Sequence, residues 1–150
     1  MRVAAIMTED VVACGPSDTL ERAAFLMWDR DVGCLPVIDD VGELVGILTD
    51  RDVALAAYRR GDPLRDIPVS LAMAPRVYSC RPDDDIRDAT RIMAMRRVRR
   101  LPVVDDQGRV VGIVSLDDLA QSAARTHDVE LASVGATLAE VIGLEHDAEG

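Results

Sequence analysis

The chain has 150 residues, enough for one compact unit or two very small ones. Its net charge of −10, without a single lysine, argues against general binding to nucleic acid or to anionic membranes, because phosphate groups attract a positive surface. No apolar run approaches the roughly 20 residues that span a bilayer, and the N-terminus becomes acidic too early for a secretory signal, so we expect a cytoplasmic protein.

Residues 11–60 carry a pattern of alternating strands and helices. Leu20, Ala23 and Met27 recur at the spacing of one helical face. Gly42 lies in a turn between two apolar strands, where glycine can adopt a positive φ. The predicted elements are a strand at 11–14, a helix from Leu20, strands at 35–38 and 44–48, and a helix from Thr49 to Gly61.

The chain then repeats this pattern. The segment from Leu35 to Thr49 returns from Leu101 to Ser115, and Pro36 and Pro102 show the offset of 66 residues (102 − 36). We predict an α/β (α+β) fold of two β-α-β-β-α repeats packed about a pseudo-two-fold axis. The predicted boundaries are repeat 1 at 1–60, a linker at 61–68, repeat 2 at 69–125 and an acidic C-terminal tail at 126–150.

Both copies resemble the CBS (cystathionine-β-synthase) domain. Each has a Pro-Val-hydrophobic-Asp segment, a hairpin with glycine, and Gly-hydrophobic-x-Thr/Ser-x-x-Asp before its last helix; the resemblance covers about residues 1–125. It implies a Bateman module, in which two CBS domains leave two clefts between them. Members of the family bind adenosine compounds there, such as AMP, ADP, ATP, S-adenosylmethionine or dinucleotides, and usually pair into a disc-shaped homodimer.

The resemblance assigns ligand-binding roles at equivalent positions of the two copies. Asp52 would accept hydrogen bonds from ribose hydroxyls, and the Thr49 hydroxyl would face a phosphate or ribose oxygen. The same Thr-x-x-Asp spacing also fits a helix capping box, and both interpretations remain open. The complete set is Val12, Cys34, Pro36, Gly46, Thr49, Arg51 and Asp52 in the first copy, and Tyr78, Arg99, Arg100, Pro102, Gly112, Ser115 and Asp118 in the second.

The copies differ in charge beside these residues. Arg51 can pair with a phosphate, whereas its counterpart Asp117 would repel one, so the first cleft is expected to prefer phosphorylated ligands. Arg99 and Arg100 either reach a phosphate or form a solvated helix end. Tyr78 is the aromatic residue that could stack on a base.

The sequence therefore predicts a stand-alone regulatory module that is not an enzyme, requires no cofactor, and acts on an effector protein in trans when an adenosine ligand binds. One alternative is a ligand-free structural or adaptor protein that acts through its dimer face and C-terminal helix. The other is a metal or redox sensor that uses Cys14, Cys34 and Cys80.

In the tail, apolar residues at helical spacing predict an amphipathic helix followed by disorder; they are Leu131, Val134, Leu138, Val141 and Ile142.

Overall fold

The computed structural model describes residues 1–126 and 130–143. Its helices and strands, in chain order, are α1 (Leu20–Arg30), β1 (Cys34–Ile38), β2 (Leu44–Thr49), α2 (Asp50–Arg60), α3 (Ile86–Arg96), β3 (Arg100–Val104), β4 (Val110–Ser115), α4 (Leu116–Thr126) and α5 (Leu131–Ile142). Two small antiparallel sheets accompany the helices, which confirms the predicted α+β class. The predicted disorder at 145–150 lies outside the described residues.

The elements form two compact units, and each unit contains segments of both sequence repeats. Unit 1 consists of Met1–Asp10, Tyr78–Asp105 and the described residues from Val111 onward. Unit 2 consists of Val11–Val77 and Asp106–Val110. The start of the chain thus completes the unit built mainly from repeat 2, and the start of repeat 2 completes the other unit.

In unit 2, β1 and β2 form an antiparallel hairpin that has one short segment on either side. Cys14 makes a parallel bridge to Val37, and Ala74 makes an antiparallel bridge to Ile47. The predicted strand at 11–14 is wrong, because only Cys14 pairs with β1 before the chain turns at Pro16. The sheet therefore has only two full strands.

Unit 1 repeats this arrangement around β3 and β4. Cys80 makes a parallel bridge to Val103, and Thr8 makes an antiparallel bridge to Ile113. The Thr8 backbone N–H donates to the Ile113 carbonyl at 2.8 Å, and the Ile113 N–H donates back at 2.9 Å. The edge segment beside β4 therefore comes from more than 100 residues earlier in the chain.

Each unit has its own apolar core. Leu20, Leu35 and Ile67 are completely buried in unit 2, and Met93 and Leu119 are completely buried in unit 1. Ile67 falls in the segment predicted as a linker, yet its side chain belongs to the core. Its carbonyl accepts from the Leu20 N–H at 2.8 Å, which also fixes the start of α1.

The helix ends follow the residues that the sequence places there. Thr19 caps α1 and Asp85 caps α3 through side-chain oxygens. Gly61 ends α2 at a φ of +67°, as predicted for a C-terminal glycine. Helix α5 lies in the predicted tail and packs against α3 and α4 of its own chain.

Candidate functional site

In unit 2, backbone hydrogen bonds bring together the candidate residues of the first copy. Cys34 pairs directly with Thr49 across the hairpin, and the Asp50 N–H donates to the Gly33 carbonyl at 3.0 Å. The Cys14 N–H donates to the Pro36 carbonyl at 3.0 Å, so the segment containing Val12 runs beside the same end of β1. These links place the start of α2 next to the start of β1.

The same links recur in unit 1 at the equivalent positions. The Leu116 N–H donates to the Arg99 carbonyl at 2.9 Å, and the Cys80 N–H donates to the Pro102 carbonyl at 3.1 Å. The start of α4, with Ser115, therefore lies beside the start of β3. The chain builds the same local arrangement twice, once in each unit.

The threonine or serine and the aspartate of each motif form a helix cap. The Asp52 N–H donates to Thr49 Oγ1 at 3.1 Å, and the Thr49 N–H donates to Asp52 Oδ2 at 2.9 Å. Asp118 and Ser115 repeat this pattern, and the Ser115 hydroxyl also donates to Asp118 Oδ2 at 2.7 Å. The capping interpretation is thus correct, but it occupies only one oxygen of each carboxylate. Within residues 1–126 and 130–143, no hydrogen bond to Oδ1 of either aspartate is present.

The glycine of each motif has a packing role. A Cβ atom at Gly46 would lie 2.7 Å from Met73 Sδ and 3.2 Å from the Ala74 carbonyl oxygen. At Gly112 the corresponding atoms are Met7 Sδ at 2.8 Å and the Thr8 carbonyl oxygen at 3.1 Å. The absence of a side chain at each glycine therefore leaves room for the edge segment of its sheet. A ligand contact at either glycine stays a prediction.

The apolar residues predicted to contact the ligand differ in how far their side chains are exposed. Cys34, Pro36 and Pro102 are buried, whereas Val12 and Tyr78 are half-buried. The Arg96 guanidinium lies 4.5 Å from the centre of the Tyr78 ring, a cation–π contact that occupies one face of the ring. A base can therefore stack only on the other face of Tyr78.

Unit 2 contains a cavity of about 380 Å³ that includes Asp52. Arg59 and Arg60 lie on the same wall, because residues 52, 56, 59 and 60 share one face of α2. Arg60 is paired with Asp62 at 3.5 Å, whereas the Arg59 guanidinium has no ion pair among the described residues. Arg59 was not among the residues predicted from the sequence, although its spacing from Asp52 indicated a shared helical face.

Unit 1 contains a different cavity of about 290 Å³ between α4, α5 and the start of β3. Arg99, Arg100 and Asp117 line it together with apolar side chains of α5, including Val134 and Leu138. Neither Ser115 nor Asp118 contributes to its lining. Arg99 and Arg100 therefore belong to a space that is separate from the capping motif of α4.

The three cysteines are buried and form no disulfide. Burial, reinforced by Asp18 and then by Cys34, raises the pKa of the Cys14 thiol from 9.0 to about 12. Burial, reinforced by Asp84, raises the pKa of Cys80 to about 12 as well. Among the described residues, no cluster of three or more His, Cys, Asp or Glu side chains is placed to hold a metal ion.

Cys14 and Cys80 are expected to react slowly with iodoacetamide in the folded protein at neutral pH, because the thiolate is the reacting form. A pKa higher by about three units corresponds to a thiolate population on the order of 1,000-fold lower. Because folding raises both pKa values, the contribution of these two thiols to the free energy of unfolding is fully present below pH 9 and is lost as the pH rises towards 12. Mass spectrometry of labelling in buffer and in urea would measure the difference. Equal rates in the two solvents would contradict the burial of these thiols.

The comparison with protein families decides the assignment. The model of the CBS domain matches residues 3–59 and 64–125. The chain belongs to the CBS domain family. The CBS domain-containing protein YhcV of Bacillus subtilis (strain 168) is 44% identical over 116 residues, which are 76% of this chain and 79% of YhcV.

Solved CBS domain structures resemble the chain closely. The CBS domain pair of protein MJ0100, in complex with 5′-methylthioadenosine and S-adenosyl-L-methionine, has a TM-score of 0.75 at 26% identity and covers 83% of this chain and 96% of that one. CBSX2 in complex with AMP has a TM-score of 0.74 at 29% identity, and the match covers 84% of this chain and 98% of CBSX2. Within the described part of this CBS domain pair, no helix is long and apolar enough to cross a bilayer.

Proposed function

We propose that this CBS domain pair is a cytoplasmic regulatory module, without catalytic activity of its own, that binds an adenosine-type ligand through the capping motif of each unit. Ligand binding would change the module's conformational equilibrium, and an effector protein would respond to the change. Adenosine ligands occur in two similar CBS domain structures, one with S-adenosyl-L-methionine and 5′-methylthioadenosine and one with AMP.

One observation carries this proposal: each capping aspartate has an oxygen that the cap does not use. Oδ2 of Asp52 and of Asp118 holds the helix start, and Oδ1 accepts no hydrogen bond from the described residues. An ionised carboxylate oxygen is a strong acceptor for the hydroxyl pair of a ribose. The cap also fixes the side chain in place, so that less conformational entropy is lost on binding.

The two sites are proposed to prefer ligands of different charge. In unit 2 the exposed Arg51 follows the capping Thr49, and Arg59 shares a cavity with Asp52, about 10 Å further along α2. In unit 1 the residue equivalent to Arg51 is the exposed Asp117. We therefore propose that unit 2 takes a phosphorylated nucleotide and unit 1 a less charged adenosine compound.

Thermal unfolding with ATP, AMP or S-adenosylmethionine tests the proposal, with the wild type compared to Asp52→Ala and Asp118→Ala. A ligand at 100 times its Kd should stabilise the protein by about 2.7 kcal/mol, roughly 5–10 °C for this chain length. We expect the shift caused by ATP to be lost in Asp52→Ala and retained in Asp118→Ala.

Loss of a helix cap itself lowers stability by about 1 kcal/mol, so the ligand-induced shift must be compared within each variant. Asp85→Ala is the matched control, because Asp85 also caps a helix and lies outside both motifs. An ATP shift that survives in Asp52→Ala would contradict the assignment of unit 2. No shift with any of the compounds would favour the ligand-free adaptor instead.

The alternative of a metal or redox sensor has less support. Cys14 and Cys80 are buried thiols whose raised pKa values keep them protonated at neutral pH, whereas metal binding and redox exchange require the thiolate. Metal analysis of the purified protein decides this alternative directly.

A further inference from the structure

The cavity beside α5 in unit 1 is a space that the adenosine proposal does not use. Its volume is about 290 Å³, and its walls come from α4, α5 and the residues at the start of β3. An apolar cavity of about 150 Å³ can hold benzene, so this space suits a ligand of about twice that size. Helix α5 begins after residue 125, where the match to the CBS domain ends, so the wall that it supplies lies outside the family match.

Most of the lining of this cavity is apolar. Leu116 and Val134 are buried, and Leu138 and Ile142 of α5 are partly exposed. Helix α5 carries one charged residue, Glu140, which does not line the cavity. The body of a ligand in this space would therefore contact mainly hydrocarbon groups, which disfavours a polyphosphate and favours an apolar chain.

The charged groups of the lining come together where the start of α4 lies beside the start of β3. They are Arg99, Arg100 and Asp117, with a formal net charge of +1 (2 − 1). Among the side chains that the structure describes, neither guanidinium has an ion pair or a hydrogen bond. A guanidinium presents paired N–H donors that fit the two oxygens of a carboxylate. This set of charges therefore matches a ligand with a single negative charge.

The first repeat does not have this chemistry at the equivalent positions. At the positions 66 residues before Arg99 and Arg100, the chain has Gly33 and Cys34. At the position equivalent to Leu116 it has an aspartate, Asp50. The combination of two arginines with an apolar wall thus occurs in repeat 2 and not in repeat 1.

We propose that the cavity beside α5 binds a small monocarboxylate with an apolar tail, of the size of a medium-chain fatty acid. The carboxylate pairs with Arg99 and Arg100, and the tail packs against the apolar side chains of α4 and α5. Such a ligand contacts both helices at once, so its binding stabilises α5 in its position on α4. The inference goes beyond the adenosine sites, because neither Ser115 nor Asp118 lines this cavity.

Isothermal titration calorimetry of the full chain with octanoate tests the inference. We expect saturable one-to-one binding, and at least about tenfold weaker binding of octanol, which has the same tail without the charge. The variant Arg99→Gln/Arg100→Gln should weaken octanoate binding by a similar factor. Its matched control is Arg96→Gln/Arg97→Gln, which removes the same charge from the same basic run at residues outside the lining.

Ala120→Leu is a second variant, which leaves both arginines in place. Ala120 lines the cavity from α4, and a leucine side chain would fill part of the space. The variant should therefore weaken octanoate binding by at least about tenfold. Ala54→Leu, at the equivalent position of α2, is its control and should bind octanoate like the wild type.

No saturable binding up to about 10 mM octanoate, where even a weak site for so small a ligand fills, would overturn the inference. Equal binding of octanol, or equal losses in either variant and its control, would overturn it too. Displacement of octanoate by 5′-methylthioadenosine, which has no carboxylate, would place octanoate at the capping motif and contradict a separate site. Octanoate binding is measured without nucleotide, so failure of the adenosine proposal leaves this result unaffected.

Discussion

Ile67→Ala is expected to lower the free energy of unfolding by about 2–4 kcal/mol, because the variant removes a completely buried side chain and leaves a cavity. Ile67 packs with the core of unit 2, which includes Leu20 and Val69. The expected loss contrasts with the sequence-based prediction that residues 61–68 form a linker, where a substitution changes stability by only a few tenths of a kcal/mol. Urea unfolding monitored by circular dichroism would measure the difference.

Arg65→Ala is the control for this experiment. Arg65 is exposed and lies two residues before Ile67 in the same segment. Its replacement should change the free energy of unfolding by less than about 0.5 kcal/mol. If both variants are equally stable, the segment does not contribute to the core of unit 2.

Gly46→Val is expected to destabilise the protein by about 2–3 kcal/mol, through overpacking. The first added carbon would already lie 2.7 Å from Met73 Sδ and 3.2 Å from the Ala74 carbonyl oxygen. The methionine side chain can move, but the carbonyl accepts from the Ile47 N–H at 3.1 Å and holds the edge segment on β2. Valine adds two further methyl groups on the same side.

Gly135→Ala serves as the matched control for Gly46→Val. Apart from the backbone of its own helix, no atom of the described residues lies within 4 Å of a Cβ at Gly135, which is in the interior of α5. Alanine should therefore stabilise the protein by about 0.5–1 kcal/mol through helix propensity. A Gly46→Val variant with wild-type stability but altered nucleotide affinity would instead assign Gly46 to ligand contact.

The secondary structure was largely predictable because each element has a local cause. The spacing of Leu20, Ala23 and Met27 predicts α1, and Gly42 and Gly61 have the positive φ values expected at a turn and a helix end. The strand at 11–14 was predicted wrongly because an apolar run does not show how many of its residues find a partner. Only Cys14 does so.

The exchange of edge segments between the repeats could not be predicted, because the repeats are too similar. Met7 and Met73 occupy equivalent positions, so the pattern fits a segment that pairs within its own repeat as well as one that pairs with the other. Only the folded structure distinguishes these two pairings. In it, Met7 lies against Gly112, and Met73 lies against Gly46.

The capping motif was predicted residue by residue, but its surroundings were not. Thr49 and Asp52 are three residues apart in the sequence and their hydrogen bonds are local, so their spacing was informative. Arg59 was missed although its spacing from Asp52 indicated a shared face of α2, whereas the α5 side chains that line the cavity of unit 1 come from a different element than the motif of α4. Their proximity depends on packing, which no local pattern encodes.

The edge segment of unit 1 also determines the order in which the chain can fold during its synthesis. Residues 1–10 are synthesised well before the segments they pair with, because the Thr8 backbone has no partner until Ile113 has been added, and the Val3 N–H has none until Asp84 has been added. Nearly all of unit 2 is synthesised before residue 78, and it needs only the later hairpin at Asp106–Val110. Residues 1–10 can therefore take their final place only after much later residues have been synthesised, and pairing over so long a sequence separation is slow in general.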